Sequence, residues 1–264
     1  MAQPVKVKVS LPMLAAHIDH SLLHPTLTDA QITTGLLLCK QHAVASACVK
    51  PCSVPLAAEV LAGSPVKVCA AVGFPHGSST AATKMAETVE ALDAGAAEID
   101  MVVNIGKALG RQWHYVEHEV NAINRIVTTR GAVLKVIFEN DYLQHEHIRK
   151  LCEICTDLGV GFVKTSTGYG FVRRDNGTYS YEGATTPHLK LMRASAGPGV
   201  QIKAAGGVRT LDDVLHVMSL GVTRVGATAT EAILEEARAR GIGDEEIEVE
   251  VRRSDGTNGD GASC

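Results

Sequence analysis

Residues 162–170 read Phe-Val-Lys-Thr-Ser-Thr-Gly-Tyr-Gly, a short apolar run that carries Lys164 into a turn rich in hydroxyl groups and glycine. The run from Gly159 to Val163 predicts a buried strand. An ammonium group in such surroundings loses hydration unless a partner compensates it or its pKa falls. An isolated lysine at a strand end more often snorkels to the solvent. The residues that the fold brings next to Lys164 therefore decide which interpretation holds.

The pattern of an apolar run followed by an amphipathic segment occurs eight times along the chain. The predicted strands are Leu14 to Asp19, Ala45 to Val49, Val66 to Val72, Glu98 to Val103, Ala132 to Phe138, Gly159 to Val163, Gly199 to Ala204 and Thr223 to Ala227. Strands rich in Val, Ile and Ala that alternate with helices indicate a parallel sheet buried on both faces. Eight such units predict a (β/α)8 TIM barrel in a single domain over residues 1–240, with a doubly wound open sheet as the alternative.

Two segments stand outside the repeats. Residues 171–187 form an insertion in which apolar and aromatic residues flank Asn176-Gly177, and this predicts a small β-hairpin over the barrel mouth. Residues 241–264 are acidic and then rich in Gly, Ser and Asp, so we expect a disordered tail.

Composition narrows the classes of function. The chain has 264 residues, is 45% hydrophobic and carries a formal net charge of −4, so it has no basic field for nucleic acid or an anionic membrane. No run approaches the roughly 18 apolar residues of a membrane span, and no secretory apolar core is visible. Seven cysteines, an odd number, favour a reducing compartment. We expect a cytoplasmic protein that binds neither nucleic acid nor a membrane.

A metal site is not predicted. Cys152 and Cys155 form a C-x-x-C inside a helical pattern, with no second pair of cysteines or histidines to complete a zinc site. His114 and His118 are one helical turn apart, but their neighbours are typical of a solvated helix face.

Polar residues follow or end most of the predicted strands, and function in a barrel collects at the carboxyl ends of its strands. These residues are Asp19, Cys48, Lys50, Asp100, Asn104, Lys135, Glu139, Lys164 and Lys203. Lys164 and Lys203 come from neighbouring predicted strands. If both point inward, repulsion and desolvation lower the pKa of one, which leaves a neutral amine able to attack a carbonyl and form a Schiff base. Asp100 and Lys203 would then transfer protons, although a buried structural ion pair is the alternative for these two.

A phosphate site is predicted beside the lysines. Gly206-Gly207 after the seventh strand and Thr228 before the last helix place N–H groups and a hydroxyl where barrels commonly hold phosphate. Thr167-Gly168 could add to this site. The chain lacks the G-x-x-x-x-G-K-[ST] motif, so a nucleotide-binding P-loop is excluded.

The chain from about Ala16 to Arg240 resembles the deoxyribose-phosphate aldolase family. Six motifs in family order carry the resemblance: Ile18-Asp19-His20-Ser21-Leu22-Leu23, Cys48-Val49-Lys50-Pro51-Cys52, Val72-Gly73-Phe74-Pro75, Glu98-Ile99-Asp100-Met101-Val102-Val103-Asn104, Phe162 to Gly168, and Lys203-Ala204-Ala205-Gly206-Gly207-Val208-Arg209-Thr210. The resemblance implies a (β/α)8 barrel and a reversible aldol reaction, without metal or cofactor, between 2-deoxy-D-ribose 5-phosphate and D-glyceraldehyde 3-phosphate plus acetaldehyde.

The resemblance also implies roles for residues. Lys164 would be the Schiff-base lysine, with Asp100 and Lys203 as the proton donor and acceptor; Cys48 would lie near the small aldehyde, and Asp19 would support the network. The partners would be a phosphorylated sugar and a small aldehyde, and barrels of this kind often form homo-oligomers. Where the family often shows serine, this chain has Thr228 and Ala229. Two other functions stay open: a Schiff-base aldolase for a different phosphosugar, and a catalytically silent phosphosugar-binding protein.

Overall fold

The fold is a closed barrel of eight parallel strands surrounded by helices, seen in a computed structural model that describes residues 5–173 and 175–251. The barrel strands, in spatial order, are β2 (Ile18–Leu22), β3 (Ser46–Val49), β4 (Lys67–Val72), β5 (Glu98–Val102), β6 (Val133–Ile137), β7 (Phe162–Lys164), β10 (Gln201–Ala205) and β11 (Arg224–Ala227). The prediction of a (β/α)8 barrel in a single domain is therefore confirmed.

Ten α-helices occur in the described part of the chain. They are α1 (Leu11–His17), α2 (Asp29–His42), α3 (Val54–Val60), α4 (Ala81–Asp93), α5 (Ile105–Leu109), α6 (Trp113–Thr129), α7 (His145–Asp157), α8 (Thr186–Ser195), α9 (Leu211–Ser219) and α10 (Thr230–Ala239). Threonine caps start several of them, including Thr28 before α2, where a capping box with Gln31 is complete. None of the described helices has the length and apolar character needed to cross a membrane.

Strand register sets the height of the polar residues inside the barrel. Asp100 on β5 is paired with Lys135 on β6, and Lys164 on β7 is paired with Lys203 on β10. The side chains of these four residues are buried, whereas their strand neighbours pack outward against the helices. The register therefore brings the charged side chains of four neighbouring strands together inside the barrel, with Lys164 level with Ile137, two residues beyond Lys135 on β6.

The start of the barrel differs from the prediction. Ser10 accepts a hydrogen bond from the N–H of Met13, and Pro12 fits the first helical turn, so residues 11–17 form α1 and the strand begins only at Ile18. The apolar residues Leu14 and Ala15 are buried on this helix. An apolar run of this length does not distinguish a buried strand from a buried helix.

The insertion contains the predicted hairpin. Strands β8 (Val172–Arg173) and β9 (Tyr179–Ser180) pair antiparallel, while residues 186 and 187 already belong to α8. The returning segment is held at the barrel mouth by Asp141, whose carboxylate accepts hydrogen bonds from the N–H groups of Glu182 and Gly183. Gly183, at φ +72°, lies so close to Gly206 that a Cβ atom would come within 2.5 Å of the Gly206 carbonyl oxygen.

The expectation of a disordered tail over residues 241–264 is wrong for its first part. Residues 247–250 form β12 (Ile247–Glu250), which pairs antiparallel with β1 (Lys6–Val9) in a separate two-stranded sheet. The acidic residues that suggested a tail alternate with Ile247 and Val249, and β1 supplies the lysine-rich partner strand. Residues 252–264 lie outside the described part of the chain.

Candidate active site

Three predicted residues meet at one oxygen atom. The Nζ atom of Lys164 lies 2.6 Å from Asp100 Oδ2, and the Nζ atom of Lys203 lies 2.8 Å from the same oxygen. All three side chains are buried. Two amines within hydrogen-bond reach of one carboxylate oxygen can exchange protons through it.

A second tier of charges lies below Asp100. Lys135 contacts Asp100, Glu98 and Asp19, with Nζ to oxygen distances of 3.0, 2.5 and 3.3 Å. Asp19 is also 2.5 Å from Lys203 Nζ. The predicted supporting position of Asp19 thus corresponds to direct contacts with two of the barrel lysines.

Arg224 on β11 completes this tier. Its guanidinium donates to Asp19 at 2.6 Å and lies 3.3 Å from Glu98. Ser46 Oγ also donates to Asp19 at 2.6 Å. Each charged group of this tier therefore has an oppositely charged partner within the tier. Asp100 connects the tier to Lys164.

The electrostatic balance favours charged groups at the centre. Burial alone would raise the pKa of Asp100, yet Lys135, Lys164 and Lys203 hold that pKa well below its usual range. Burial would lower the pKa of Lys203, but Asp100 and Asp19 raise it above its usual range. The pKa of Lys135 is raised in the same way against the effect of burial. Lys135 and Lys203 are thus held as cations beside an ionised Asp100.

Two thiols also lie against Asp100. Cys48 Sγ is 3.7 Å from Asp100 Oδ2 and Cys69 Sγ is 3.1 Å from Oδ1. The thiols also belong to a small apolar cluster that lines the mouth next to Asp100. Its members are Leu23, Cys48, Cys69, Ala71, Phe74 and Tyr169. Cys48 therefore lies between an apolar wall and the charged centre, and its position near the small aldehyde stays a prediction.

Cys48, Cys69 and Asp100 are also the one set of three metal-ligating side chains found in the described residues with ligand atoms within 4.8 Å of one another. Lys135 Nζ is 3.2 Å from Cys69 Sγ, and Lys203 Nζ is 3.6 Å from Cys48 Sγ. A divalent cation there would lie directly against two ammonium groups, so the set does not fit a resident metal.

Glu139 holds the turn that follows β7. Its carboxylate accepts hydrogen bonds from the N–H of Thr167, at 3.2 Å to each oxygen, and from the Thr167 hydroxyl. The hydroxyl in turn accepts from the N–H of Tyr169 at 2.9 Å. Burial raises the pKa of Glu139 to about 7. Both donors of Thr167, a predicted substrate-binding residue, are therefore used inside the protein.

The other predicted phosphate residues present unused donors. Gly206 and Gly207 both have φ +85°, and across the described residues the N–H groups of Gly206, Gly207 and Gly168 make no hydrogen bond. Ala205 pairs with Gly226 in the sheet, so the turn after β10 lies beside the exposed Thr228 after β11. No side chain caps the start of α10, which follows directly. The N–H groups of Gly206 and Gly207 therefore lie unused in the turn beside Thr228.

Several residues of the site were not predicted to act in it. Lys135 and Glu139 were among the polar residues predicted near the carboxyl ends of the strands, but without a role. Glu98 precedes Asp100 by two residues on β5, so the period-two spacing of a strand could have found it. Cys69 and Arg224 lie in apolar strands with no local feature that marks them, and only the register of the sheet shows their contacts.

A closed barrel whose mouth buries lysines around a shared carboxylate is the architecture of an enzyme that works through an amine. A family model described as DeoC/LacD family aldolase matches residues 13–236. The deoxyribose-phosphate aldolase of Rhodopirellula baltica is 46% identical over 239 residues, which cover 90% of this chain and 95% of that protein. The deoxyribose-phosphate aldolase of Caldanaerobacter subterraneus is 40% identical and covers 90% of this chain and 100% of the relative.

Solved structures agree with these sequence comparisons. One whose title reads "Unique tetrameric structure of deoxyribose phosphate aldolase from Aeropyrum pernix" matches with a TM-score of 0.77 at 26% identity, over 87% of this chain and 93% of that one. The chain belongs to the DeoC/LacD family of aldolases. The resemblance noted from the six motifs is thereby confirmed.

Proposed function

We propose that the protein is a deoxyribose-phosphate aldolase, which cleaves 2-deoxy-D-ribose 5-phosphate reversibly into D-glyceraldehyde 3-phosphate and acetaldehyde through a Schiff base on Lys164. The observation that carries the proposal is the sharing of Asp100 Oδ2 by Lys164 and Lys203. The activity is that of the curated relatives at 40–46% identity.

The charge balance of the cluster supports Lys164 as the nucleophile. The buried cluster holds the cations Lys135, Lys164, Lys203 and Arg224 and the carboxylates Asp19, Glu98 and Asp100 among the described residues. With every group charged, one positive charge is left over, and loss of one proton makes the cluster neutral. Lys164 contacts a single carboxylate, whereas Lys203 contacts two and Lys135 three. Lys164 is therefore the amine with the fewest carboxylate contacts in the cluster.

The neutral amine of Lys164 attacks C1 of the open-chain sugar, and loss of water gives the protonated imine. Removal of the proton from the C3 hydroxyl lets the C2–C3 bond break: C3 leaves as the aldehyde carbon of D-glyceraldehyde 3-phosphate, and the imine takes up the electron pair of the bond as an enamine. Protonation of that enamine and hydrolysis then release acetaldehyde. Asp100 and Lys203 lie within reach of Lys164 to carry these protons, directly or through one water.

The phosphate and the aldehyde have separate supports in this proposal. Gly206, Gly207 and Gly168 offer free N–H groups, and Thr228 adds a hydroxyl at the start of α10, where the helix dipole favours an anion. Thr167 acts by fixing the turn through Glu139. The apolar cluster around Cys48 covers the carbon atoms that become acetaldehyde.

The test is trapping of the imine. Incubation with acetaldehyde and sodium borohydride, followed by peptide mass analysis, should place a stable two-carbon adduct on Lys164. An adduct on another lysine, or none, contradicts the proposal. Assays of deoxyribose 5-phosphate against other aldose phosphates then separate this activity from that of a related aldolase, and a protein that binds phosphosugar without cleaving it would give no turnover.

The cellular compartment and the oligomeric state are part of the same proposal. The six described cysteines are all free, which fits a reducing cytoplasm. The Aeropyrum pernix relative is tetrameric by its title, and we infer that this chain also forms a homo-oligomer. Light scattering after size-exclusion chromatography measures the mass directly, and a monomer at micromolar concentration contradicts the inference.

A further inference from the structure

Two cysteines of the mouth are placed opposite each other on neighbouring strands. Cys48 on β3 and Cys69 on β4 are register partners in the barrel. Adjacent strands lie about 4.8 Å apart, which falls inside the range of about 4.4–6.8 Å between the Cα atoms of a disulfide. Both side chains point into the barrel, and their sulfur atoms lie within 4.8 Å of each other. A bond between them needs rotation of the side chains and little movement of the backbone.

The two thiols differ in their surroundings. The thiol of Cys69 beside Cys48 lowers the pKa of Cys48, and Lys203 Nζ lies 3.6 Å from the Cys48 sulfur. Burial raises the pKa of Cys69 well above its usual value. Cys48 is thus the better thiolate of the two, and Cys69 keeps its proton. Cys48 therefore suits the role of the attacking thiolate, and Cys69 that of the resolving thiol.

We propose that Cys48 and Cys69 form a reversible disulfide when the enzyme meets a hydroperoxide. The Cys48 thiolate attacks one peroxide oxygen, the O–O bond breaks, and the leaving hydroxide takes up a proton as water. The sulfur of Cys69 then attacks the sulfenic acid sulfur, its own proton leaves with the second hydroxide as another water, and the S–S bond forms. One hydrogen peroxide is reduced and two thiols are oxidised.

The disulfide changes the surroundings of Asp100. Cys69, which keeps its proton, donates it to this carboxylate at 3.1 Å, and a disulfide has no proton to donate. The apolar wall beside Lys164 is rebuilt at the same time, because both sulfurs belong to it. Loss of hydrogen bonds to a charged group predicts that aldolase activity falls at least about ten-fold. This consequence rests on the proposed function, whereas formation of the bond does not.

Other cysteines provide an internal comparison. Cys152 and Cys155 also stand close in sequence, but both lie in the middle of α7 and face the core. Burial raises the pKa of Cys152 to about 12, and that of Cys155 well above its usual value. Both thiols are buried in the core and hold their protons, so neither supplies an attacking thiolate. These two thiols should stay reduced under conditions that oxidise Cys48.

The experiment treats the full-length protein with hydrogen peroxide, blocks the remaining thiols with iodoacetamide and maps the peptides by mass. We expect the peptides of Cys48 and Cys69 joined with loss of two hydrogens, and activity restored by dithiothreitol. Three results overturn the proposal: stable addition of oxygen to Cys48 without cross-linking, a Cys48–Lys203 cross-link through one oxygen, or no change at either cysteine.

Two variants sharpen the test. Cys69→Ser removes the resolving thiol, so Cys48 should proceed to irreversible oxidation and its peptide should gain oxygen. Cys152→Ser is the matched control and should form the Cys48–Cys69 bond as the wild type does. A protein that forms the bond but never cleaves deoxyribose 5-phosphate refutes the proposed function and leaves the disulfide standing. A protein that cleaves the sugar but forms no bond does the reverse.

Discussion

Lys84 and Lys164 are both buried lysines, but their partners differ in kind. Lys84, on α4 outside the barrel, has Glu119 at 2.8 Å and the carbonyl oxygen of Val102 at 2.7 Å. Its pair is matched one to one. Lys164, inside the barrel, shares the oxygen of Asp100 with Lys203. Burial of a lysine therefore does not by itself indicate a reactive amine. A carboxylate that contacts more amines than its single charge can neutralise is the feature that does.

The Lys84–Glu119 pair nevertheless supports the strand that carries Asp100. Glu119 also accepts a hydrogen bond from the N–H of Asn104 at 3.0 Å, while Lys84 binds Val102. These two contacts hold the end of β5, the strand that carries Asp100. We interpret the Lys84–Glu119 pair as a structural support and the Lys164 cluster as the reactive centre, and the following substitutions separate the two.

The largest effect is expected from Lys164→Arg. Arginine keeps the positive charge but cannot form the imine, so kcat should fall by about 10⁴-fold or more while the fold is retained. Steady-state cleavage of deoxyribose 5-phosphate and circular dichroism measure the two parts. Lys40→Met, at a surface lysine bonded to backbone carbonyls, is the control. Activity of Lys164→Arg within ten-fold of wild type would remove Lys164 as the nucleophile.

Lys84→Met should act on stability instead. It leaves Glu119 buried without a counter-charge, so the free energy of unfolding should fall by about 3–5 kcal/mol. Urea denaturation measures this loss. The double variant Lys84→Met/Glu119→Gln keeps an acceptor for the N–H of Asn104 without a buried charge and should recover part of it. An unchanged urea midpoint in the single variant would show that the pair supports nothing.

Lys203→Met tests the sharing of Asp100. The substitution removes a proton carrier and one of the charges next to Lys164, so kcat should fall about 10²- to 10³-fold. Borohydride trapping with acetaldehyde should still place the two-carbon adduct on Lys164, because the amine that forms the imine is retained. A kcat within a few-fold of the wild type would remove Lys203 as a proton carrier.

Glu139→Gln probes a buried carboxyl that has hydrogen bonds but no ion pair among the described residues. Burial raises its pKa from 4.5 to about 7, so the folded state keeps a proton that the unfolded state releases. The stabilisation is complete below pH 4.5 and is lost as pH rises through 7. The unfolding free energy of the wild type minus that of the variant should therefore fall by up to about 3 kcal/mol as pH rises from 4.5 to 8. Parallel urea profiles across that range would contradict the assignment.

Local patterns in the sequence were enough to predict the barrel and the inward position of Lys164, Asp100 and Lys203, because strand periodicity and crossover helices determine which residues face inward at the mouth. Contacts that depend on register between distant strands were not accessible. Cys69 and Arg224 sit in ordinary apolar strands, and their charged neighbours come from elsewhere in the chain. The donors of Thr167 could not be assigned either, because the αL backbone of Glu139, at φ 59°, directs its carboxylate to them.

The two-stranded sheet outside the barrel brings the two ends of the described chain together. Val251 donates its N–H to the carbonyl oxygen of Val5 at 2.8 Å, directly beside the pairing of β1 with β12. The first and last described residues are thus neighbours. The chain is therefore a candidate for circular permutation. A short linker that joins Val251 to Val5, with new termini at Asn176-Gly177 in the exposed hairpin, would leave every barrel strand with its present neighbours.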